Sequence, residues 1–267
     1  MLYLVATPIG NLADITLRAL DVLRSCAAVL CEDTRHSQVL LQRHGIERPL
    51  LSYHKFNETK ELDAILRRLE AGEDLALISD AGTPCLSDPG QRLVAACIER
   101  SLPFTAVPGP CSPIMALLLS GLSAERFQFL GFLPKKPAAT LRSALCYPGT
   151  TLLFESPERL AATLRLLAEL APDRPIAIAR EMTKAFEECW RGTAQAAALH
   201  FQQRPARGEI CLVIGEGEPP WEALSLEELI DSLRDLHGLS LKEAVKLAAA
   251  VRREPKRNVY RRVHRDA

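Results

Sequence analysis

From Leu2 to Ile214, short apolar runs alternate with amphipathic segments, and this alternation limits the possible folds more than any other property of the chain. Leu2–Val5, Ala28–Cys31, Leu50–Tyr53, Leu75–Ser79 and Phe104–Val107 read as strands, since each is brief, apolar and bounded by turn residues. Thr16–Ser25, Glu58–Leu69 and Gln91–Arg100 carry helical spacing; Leu62, Ile65, Leu66 and Leu69 fall on a single face. Gly45 and Gly72 follow helical stretches, where the left-handed C-terminal position favours glycine. Strands alternating with helices in this way build a parallel sheet covered on both faces. Phe127–Gly131, Thr151–Glu155, Ile176–Ala179 and Glu209–Ile214, with a helical Glu158–Leu170 among them, predict a second α/β domain.

Two breaks divide the chain. Pro108-Gly109-Pro110-Cys111-Ser112-Pro113 interrupts the first pattern, and a small-residue helix through Ala116 and Leu119 follows it. After Gly217-Glu218-Pro219-Pro220 no strand-like run remains; Leu226–Leu236 and Leu241–Val251 are helical patterns joined through Gly238. The expected domains are therefore residues 1–112, 113–217 and 218–267, and a chain of 267 residues is long enough to give the first two their own cores.

Charge is balanced overall, with 33 lysines and arginines against 33 aspartates and glutamates, so any basic surface must be local. One such region is the end of the chain. Arg252, Arg253, Lys256, Arg257, Arg261, Arg262 and Arg265 face only Glu254 and Asp266, whereas residues 218–243 are mostly acidic. This basic end, with Tyr260 available for stacking, is either a nucleic-acid surface or a solvated charged tail. No apolar stretch approaches membrane-spanning length, and the first residues lack a signal peptide's charged region, which points to a cytoplasmic protein with no membrane partner. The eight cysteines show no Cys-x-x-Cys pairing and no matching histidine spacing, so they read as structural thiols and no metal is expected.

Phosphate-loop, dinucleotide-fold, zinc-protease and serine-hydrolase signatures are all absent. What stands out instead is a Gly/Pro-rich turn after each of three predicted strands: Ala6-Thr7-Pro8-Ile9-Gly10-Asn11, residues 78–90 and residues 108–113. Such turns let backbone approach a ligand closely, and open α/β sheets bind ligands at the carboxyl ends of their strands.

Several segments together resemble the tetrapyrrole methylase superfamily and, within it, the small-subunit ribosomal RNA methyltransferase I family. They are Leu4–Leu12, Cys31-Glu32-Asp33-Thr34-Arg35, Ser52-Tyr53-His54 with Asn57-Glu58, Ser79–Pro84, Val107–Pro110, Phe154–Leu160, Ala179–Lys184, Arg207-Gly208-Glu209 and Ser240–Lys246. The resemblance spans nearly the whole chain in order. It implies two α/β domains of tetrapyrrole methylase type with a cofactor cleft between them, plus a small C-terminal helical domain that binds RNA. It also implies S-adenosyl-L-methionine as cofactor, 2′-O-methylation of a cytidine in the decoding region of 16S rRNA, the 30S subunit or its rRNA as partner, and a homodimer. Methyl transfer from a sulfonium to a hydroxyl is an in-line displacement, so such a protein fixes the donor, aims the hydroxyl and excludes water.

Carried over residue by residue, the resemblance implies cofactor contacts from Ile9, Asp80, Ala81, Gly82, Thr83, Leu86, Cys111, Ser112, Phe154 and Met182. Asp33, Glu32, His54 and Glu58, polar residues just past apolar strands, are the catalytic candidates, and Arg35, Asn57, Lys184 and Glu181 the candidate substrate contacts, that stand beside this resemblance. Without it, Asp80 is equally a turn-capping carboxylate, Phe154 a core residue, and Glu32, Asp33 and Arg35 a structural ion-pair cluster. Where the tetrapyrrole branch has Gly-Asp-Pro, this chain has Ala81-Gly82-Thr83-Pro84, a departure that favours RNA over a tetrapyrrole as acceptor. The competing functions are a small-molecule methyltransferase of the tetrapyrrole or diphthamide type and a non-catalytic rRNA-binding assembly factor.

Overall fold

A computed structural model describes residues 1–235 and 238–263; Leu236, Arg265 and Asp266 of the sequence reading lie outside the described residues. The chain forms two compact units, one of Met1–Met115 with Met182–Phe186, the other of Ala116–Glu181 with Glu187–Ala267.

In the first unit β1 (Leu2–Val5), α1 (Leu17–Ser25), β2 (Ala28–Cys31), α2 (Thr34–Arg43), β3 (Leu50–Ser52), α3 (Glu58–Glu70), β4 (Leu75–Leu77), α4 (Gln91–Glu99) and β5 (Phe104–Val107) alternate as the apolar pattern predicts. The strands make a five-stranded sheet of order β3-β2-β4-β1-β5, and every pair in it is parallel. Side chains alternate across it. Val29, Cys31, Ala76 and Ile78 enter a core with Ala19 and Leu23 of α1, while Ala28, Leu30, Leu75 and Leu77 enter another with Leu66 of α3 and Leu93 of α4. Both faces are thus buried, as a parallel sheet requires. The predicted strand Leu75–Ser79 stops at Leu77, because Ser79 turns its hydroxyl onto the carbonyls of Ala81 and Gly82. α5 (Ser112–Ser120) starts in this unit.

The second unit holds β6 (Phe127–Phe132), α6 (Ala138–Cys146), β7 (Thr150–Glu155), α7 (Pro157–Leu170), β8 (Pro175–Arg180), β9 (Glu188–Thr193), α8 (Ala194–Gln203) and β10 (Ile210–Ile214). Its sheet runs β6-β7-β10-β8-β9, with only β6–β7 parallel. Leu153, Leu164, Leu167, Ile178, Ala197 and Leu212 are among the residues of its core. Three further helices, α9 (Leu226–Asp235), α10 (Leu241–Val251) and α11 (Lys256–Val263), close around Leu229, Leu233, Val245, Ala248 and Val259. Cys146 of α6 belongs to the same cluster, and Arg142 holds Glu228 at 2.6 Å, so these helices are docked rather than trailing. No described helix is long and apolar enough to cross a membrane.

Candidate functional site

β4, β1 and β5 are neighbours in the first sheet, so the three Gly/Pro-rich turns leave adjacent strand ends. They are tied together. Thr7 and Gly82 exchange backbone hydrogen bonds at 2.9 and 3.1 Å, the Thr7 hydroxyl donates to the Ser79 carbonyl, and the Thr83 hydroxyl donates to the Pro110 carbonyl at 3.0 Å. Gly82, at φ +79°, lets the neighbouring turns close on it: a Cβ there would stand 3.2 Å from Ile9 Cγ2 and 3.6 Å from the Pro110 carbonyl. The 78–90 loop bends sharply elsewhere too, with Cys85 and Ser87 at φ 69° and 72° although neither is glycine. Met182, Thr183 and Lys184 pack over Gly10, where no side chain fits, and the Thr183 hydroxyl accepts from the Asn11 amide at 3.0 Å.

This unit therefore brings together Ile9, Asp80, Ala81, Gly82, Thr83, Leu86, Cys111, Ser112 and Met182, the last three at the start of α5 and in the returning segment. Phe154 lies in the second unit on β7, edge-on to Phe129 with ring centroids 5.0 Å apart. Glu181 also lies there; its carboxylate accepts from the Glu209 amide at 3.0 Å and fills the space that Gly208 leaves. The Phe154–Leu160 motif is substantially structural. Buried Glu155 takes Arg159 at 2.6 Å, the Thr163 hydroxyl at 2.7 Å and the Ser156 amide at 2.8 Å.

β2, next to β4, ends at Cys31, and the carboxylates that follow have different surroundings. Asp33 is the N-cap of α2: its Oδ1 accepts from the Arg35 amide at 2.8 Å, and the Arg35 guanidinium forks onto both its oxygens. These bonds hold its carboxyl down at about 2. Glu32 is half-buried and has no such fork; burial, with Asp88 and Asp80 nearby, pushes it up to about 7. Asp88 itself is pushed up to about 6 by burial and by Asp80, against a hydrogen bond with Ser79. Asp80 braces the group, since its Oδ1 accepts from the Asp33 amide at 3.2 Å. The sequence pattern does not single out Asp88, although its position in the Ser-Asp-Pro-Gly turn that leads into α4 was a signal available beforehand.

Asn57 and His54 serve the backbone of their own turn, and Glu58 is paired with a side chain. Asn57 accepts from the His54 amide at 2.8 Å and donates to the Ser52 carbonyl at 2.9 Å. His54 Nδ1 accepts from the Phe56 amide at 3.2 Å, a bond that leaves Nε2 as the ring nitrogen not used by the turn. Glu58, with a side chain only 14% exposed, meets Arg92 at 3.2 Å. Among the described residues no cluster of histidine, cysteine or carboxylate side chains is arranged to hold a metal.

Comparison with known proteins agrees with this architecture. Residues 1–198 match the family model of Tetrapyrrole (Corrin/Porphyrin) Methylases. A ribosomal RNA small subunit methyltransferase I of Synechocystis is 44% identical over 97% of this chain and 96% of its own length. One of Bacillus subtilis is 39% identical over 99% of this chain and 94% of its own. Among solved structures, a diphthine synthase superposes with TM-score 0.64 at 12% identity, covering 88% of this chain and 96% of that one. A uroporphyrin-III C-methyltransferase of Thermus thermophilus complexed with S-adenyl homocysteine gives TM-score 0.57 at 20% identity, over 80% of this chain and 97% of that one. The family match over residues 1–198 and relatives 39–44% identical over nearly the full length agree: the chain belongs to the tetrapyrrole methylase family, within its small-subunit ribosomal RNA methyltransferase I branch.

Proposed function

We propose that this protein methylates the 2′-hydroxyl of a cytidine in the decoding region of 16S rRNA, using S-adenosyl-L-methionine. The observation that carries the reading is the pairing, in one unit, of three interlocked turns at the ends of β1, β4 and β5 with the half-buried carboxylate of Glu32 at the end of β2. The names of the relatives support small-subunit rRNA as the acceptor.

The cofactor fits the residues present. Gly82 lets the three turns interlock without a side chain between them, Ile9, Leu86 and Met182 offer apolar contact, and the α5 N-terminus at Cys111 and Ser112 suits a carboxylate. Asp80, Ala81 and Thr83 complete that wall; Phe154, which the resemblance assigns to the adenosine, lies on β7 of the second unit. When bound, S-adenosyl-L-methionine supplies a methyl group activated by the positive charge on sulfur.

Glu32 takes the role of general base. A carboxyl held near neutrality accepts the proton of a weakly acidic hydroxyl far better than one held near 2, and this separates it from Asp33. Asp33 and Arg35 fix the start of α2, Asn57 fixes the 54–57 turn, His54 offers Nε2 to the substrate, and Glu58 with Arg92 closes the flank. Lys184 and Glu181 are assigned to the RNA strand. The acceptor's remaining grip comes from residues 218–263, where Lys256, Arg257 and Arg261 are exposed on α11; the protein acts in the cytoplasm as a homodimer.

The test is transfer of labelled methyl to small ribosomal subunits lacking the modification, with the product nucleotide identified by mass spectrometry. A 2′-O-methylcytidine in the decoding region is expected. Binding of S-adenosyl-L-methionine with no methylated rRNA would return the small-molecule reading, and no cofactor binding at all would return the assembly-factor reading.

A further inference from the structure

Beyond β3 the chain does not relax into an open loop. The Tyr53 amide donates to the Cys31 carbonyl at 2.8 Å, which carries the β2–β3 pairing up to the residue before Glu32. Residues 54–57 then close on themselves. The Asn57 and Glu58 amides both donate to the His54 carbonyl at 3.0 Å, while the Asn57 side chain ties the His54 amide and the Ser52 carbonyl, and the Phe56 amide donates to His54 Nδ1 at 3.2 Å. At the crest stands Phe56, 95% exposed, its ring meeting the edge of His54 with centroids 6.1 Å apart. Lys55 beside it is exposed as well.

Single exposed apolar residues are ordinary on protein surfaces, and Val39 on α2 and Ile98 on α4 are examples here. Phe56 differs in its setting. Among the described residues it is the most exposed large apolar side chain, it is displayed by a turn whose hydrogen bonds have already fixed the backbone, and a cation adjoins it in sequence. It also rises from the strand end next to the one that carries Glu32. A flat, preorganised aromatic face beside an ammonium is the recurring device for holding an unpaired base with its phosphate, because every base has a π-face and the ordering cost is low.

We propose that Phe56 is a stacking platform for an unpaired nucleobase of the substrate strand, with Lys55 meeting the adjoining phosphate. The platform rests on the reading of the protein as an RNA 2′-O-methyltransferase and deepens it. Stacking a base on Phe56 fixes the ribose near the end of β2 and so sets which hydroxyl Glu32 can reach.

Two measurements on the full chain test this. In the first, single-stranded RNA bearing 2-aminopurine is titrated with protein in the absence of cofactor; quenching by the wild type, its loss in Phe56→Ala and its retention in Phe56→Trp are expected. In the second, methyl transfer to small subunits is followed. Phe56→Ala should raise KM for the subunit by about 5- to 150-fold, the range that base–aromatic stacking confers, with calorimetric affinity for S-adenosyl-L-methionine unchanged. Phe56→Leu keeps apolar bulk without a π-face and should behave like alanine. Wild-type quenching and KM in Phe56→Ala, or full rescue by leucine, would overturn the platform. If subunits are methylated and Phe56→Ala leaves both readouts untouched, the platform fails and the methyltransferase reading stands. If Phe56-dependent quenching is seen but no subunit is methylated, the reverse holds.

Discussion

Two neighbouring acids, Glu32 and Asp33, end the same strand and differ in everything that decides proton chemistry. Asp33 is capped and forked by Arg35, whereas Glu32 is half-buried beside Asp80 and Asp88. Glu32→Gln is expected to lower methyl transfer by about 10²- to 10⁴-fold, the usual contribution of a positioned base, whereas Asp33→Asn retains most of it and loses some helix stability. In the wild type the rate should climb as pH rises through about 7, as the Glu32 carboxylate appears. Stability runs the other way. A carboxyl whose folded value lies above its unfolded one binds its proton more tightly when folded, so its contribution is full below about 4.5 and declines as pH rises to about 7. Glu32→Gln should lessen that decline, most of all between about 6 and 7, while Asp88, pushed up to about 6, keeps its own part below that; a melting series against pH measures the difference. Little of this was legible in the sequence, where both residues are acids after an apolar run. Their difference comes from which amides and guanidinium groups the fold brings to each.

At the scale of elements, the first unit was readable because short apolar runs bounded by turn residues and glycine stops after helices mark its strands and helices in the sequence. The second unit was less so. β9, Glu-Cys-Trp-Arg-Gly-Thr, is an edge strand with no buried residue along it, and α8 is alanine-rich, so neither shows the expected apolar period. α11 was hidden for a related reason, since its helical face is built on Val259 and Val263 among basic residues. Its discovery bears on the two readings of the basic end. Arg252 bonds the Leu224 carbonyl and Arg262 bonds Glu254, so those two serve the fold, while Lys256, Arg257 and Arg261 point to solvent from an ordered helix. Deleting the helices would uncover Cys146 and orphan Arg142, so charge removal is the cleaner experiment. Lys256→Gln, Arg257→Gln and Arg261→Gln combined should weaken rRNA binding and lower the slope of log K against log salt by about 2 to 3, at roughly 0.7–0.9 per lost phosphate contact. An unchanged slope would leave α11 a solvated helix.

For the molecule as a whole, the homodimer is a proposal, and the surface that would serve it is the β6 edge, where Phe132 is 61% exposed, with Leu118 of α5 exposed at 65%. Phe132→Asp is expected to shift sedimentation from dimer to monomer, and a monomeric wild type would remove the proposal. One feature of the first unit also bears on how the protein comes into being. Met182–Phe186 belongs to that unit, and its residues close over Gly10 and bond Asn11, yet they lie far along the chain from Met115, where the rest of the unit ends. Synthesis is vectorial, so the amino-terminal sheet emerges from the ribosome with its first turn unfastened, and the donor wall is finished only after the strands of β6 to β8 have also been made. A polypeptide arrested before Met182 would hold the sheet and lack the latch over Gly10, so that, on the proposed cofactor site, donor binding comes late in the life of each new copy.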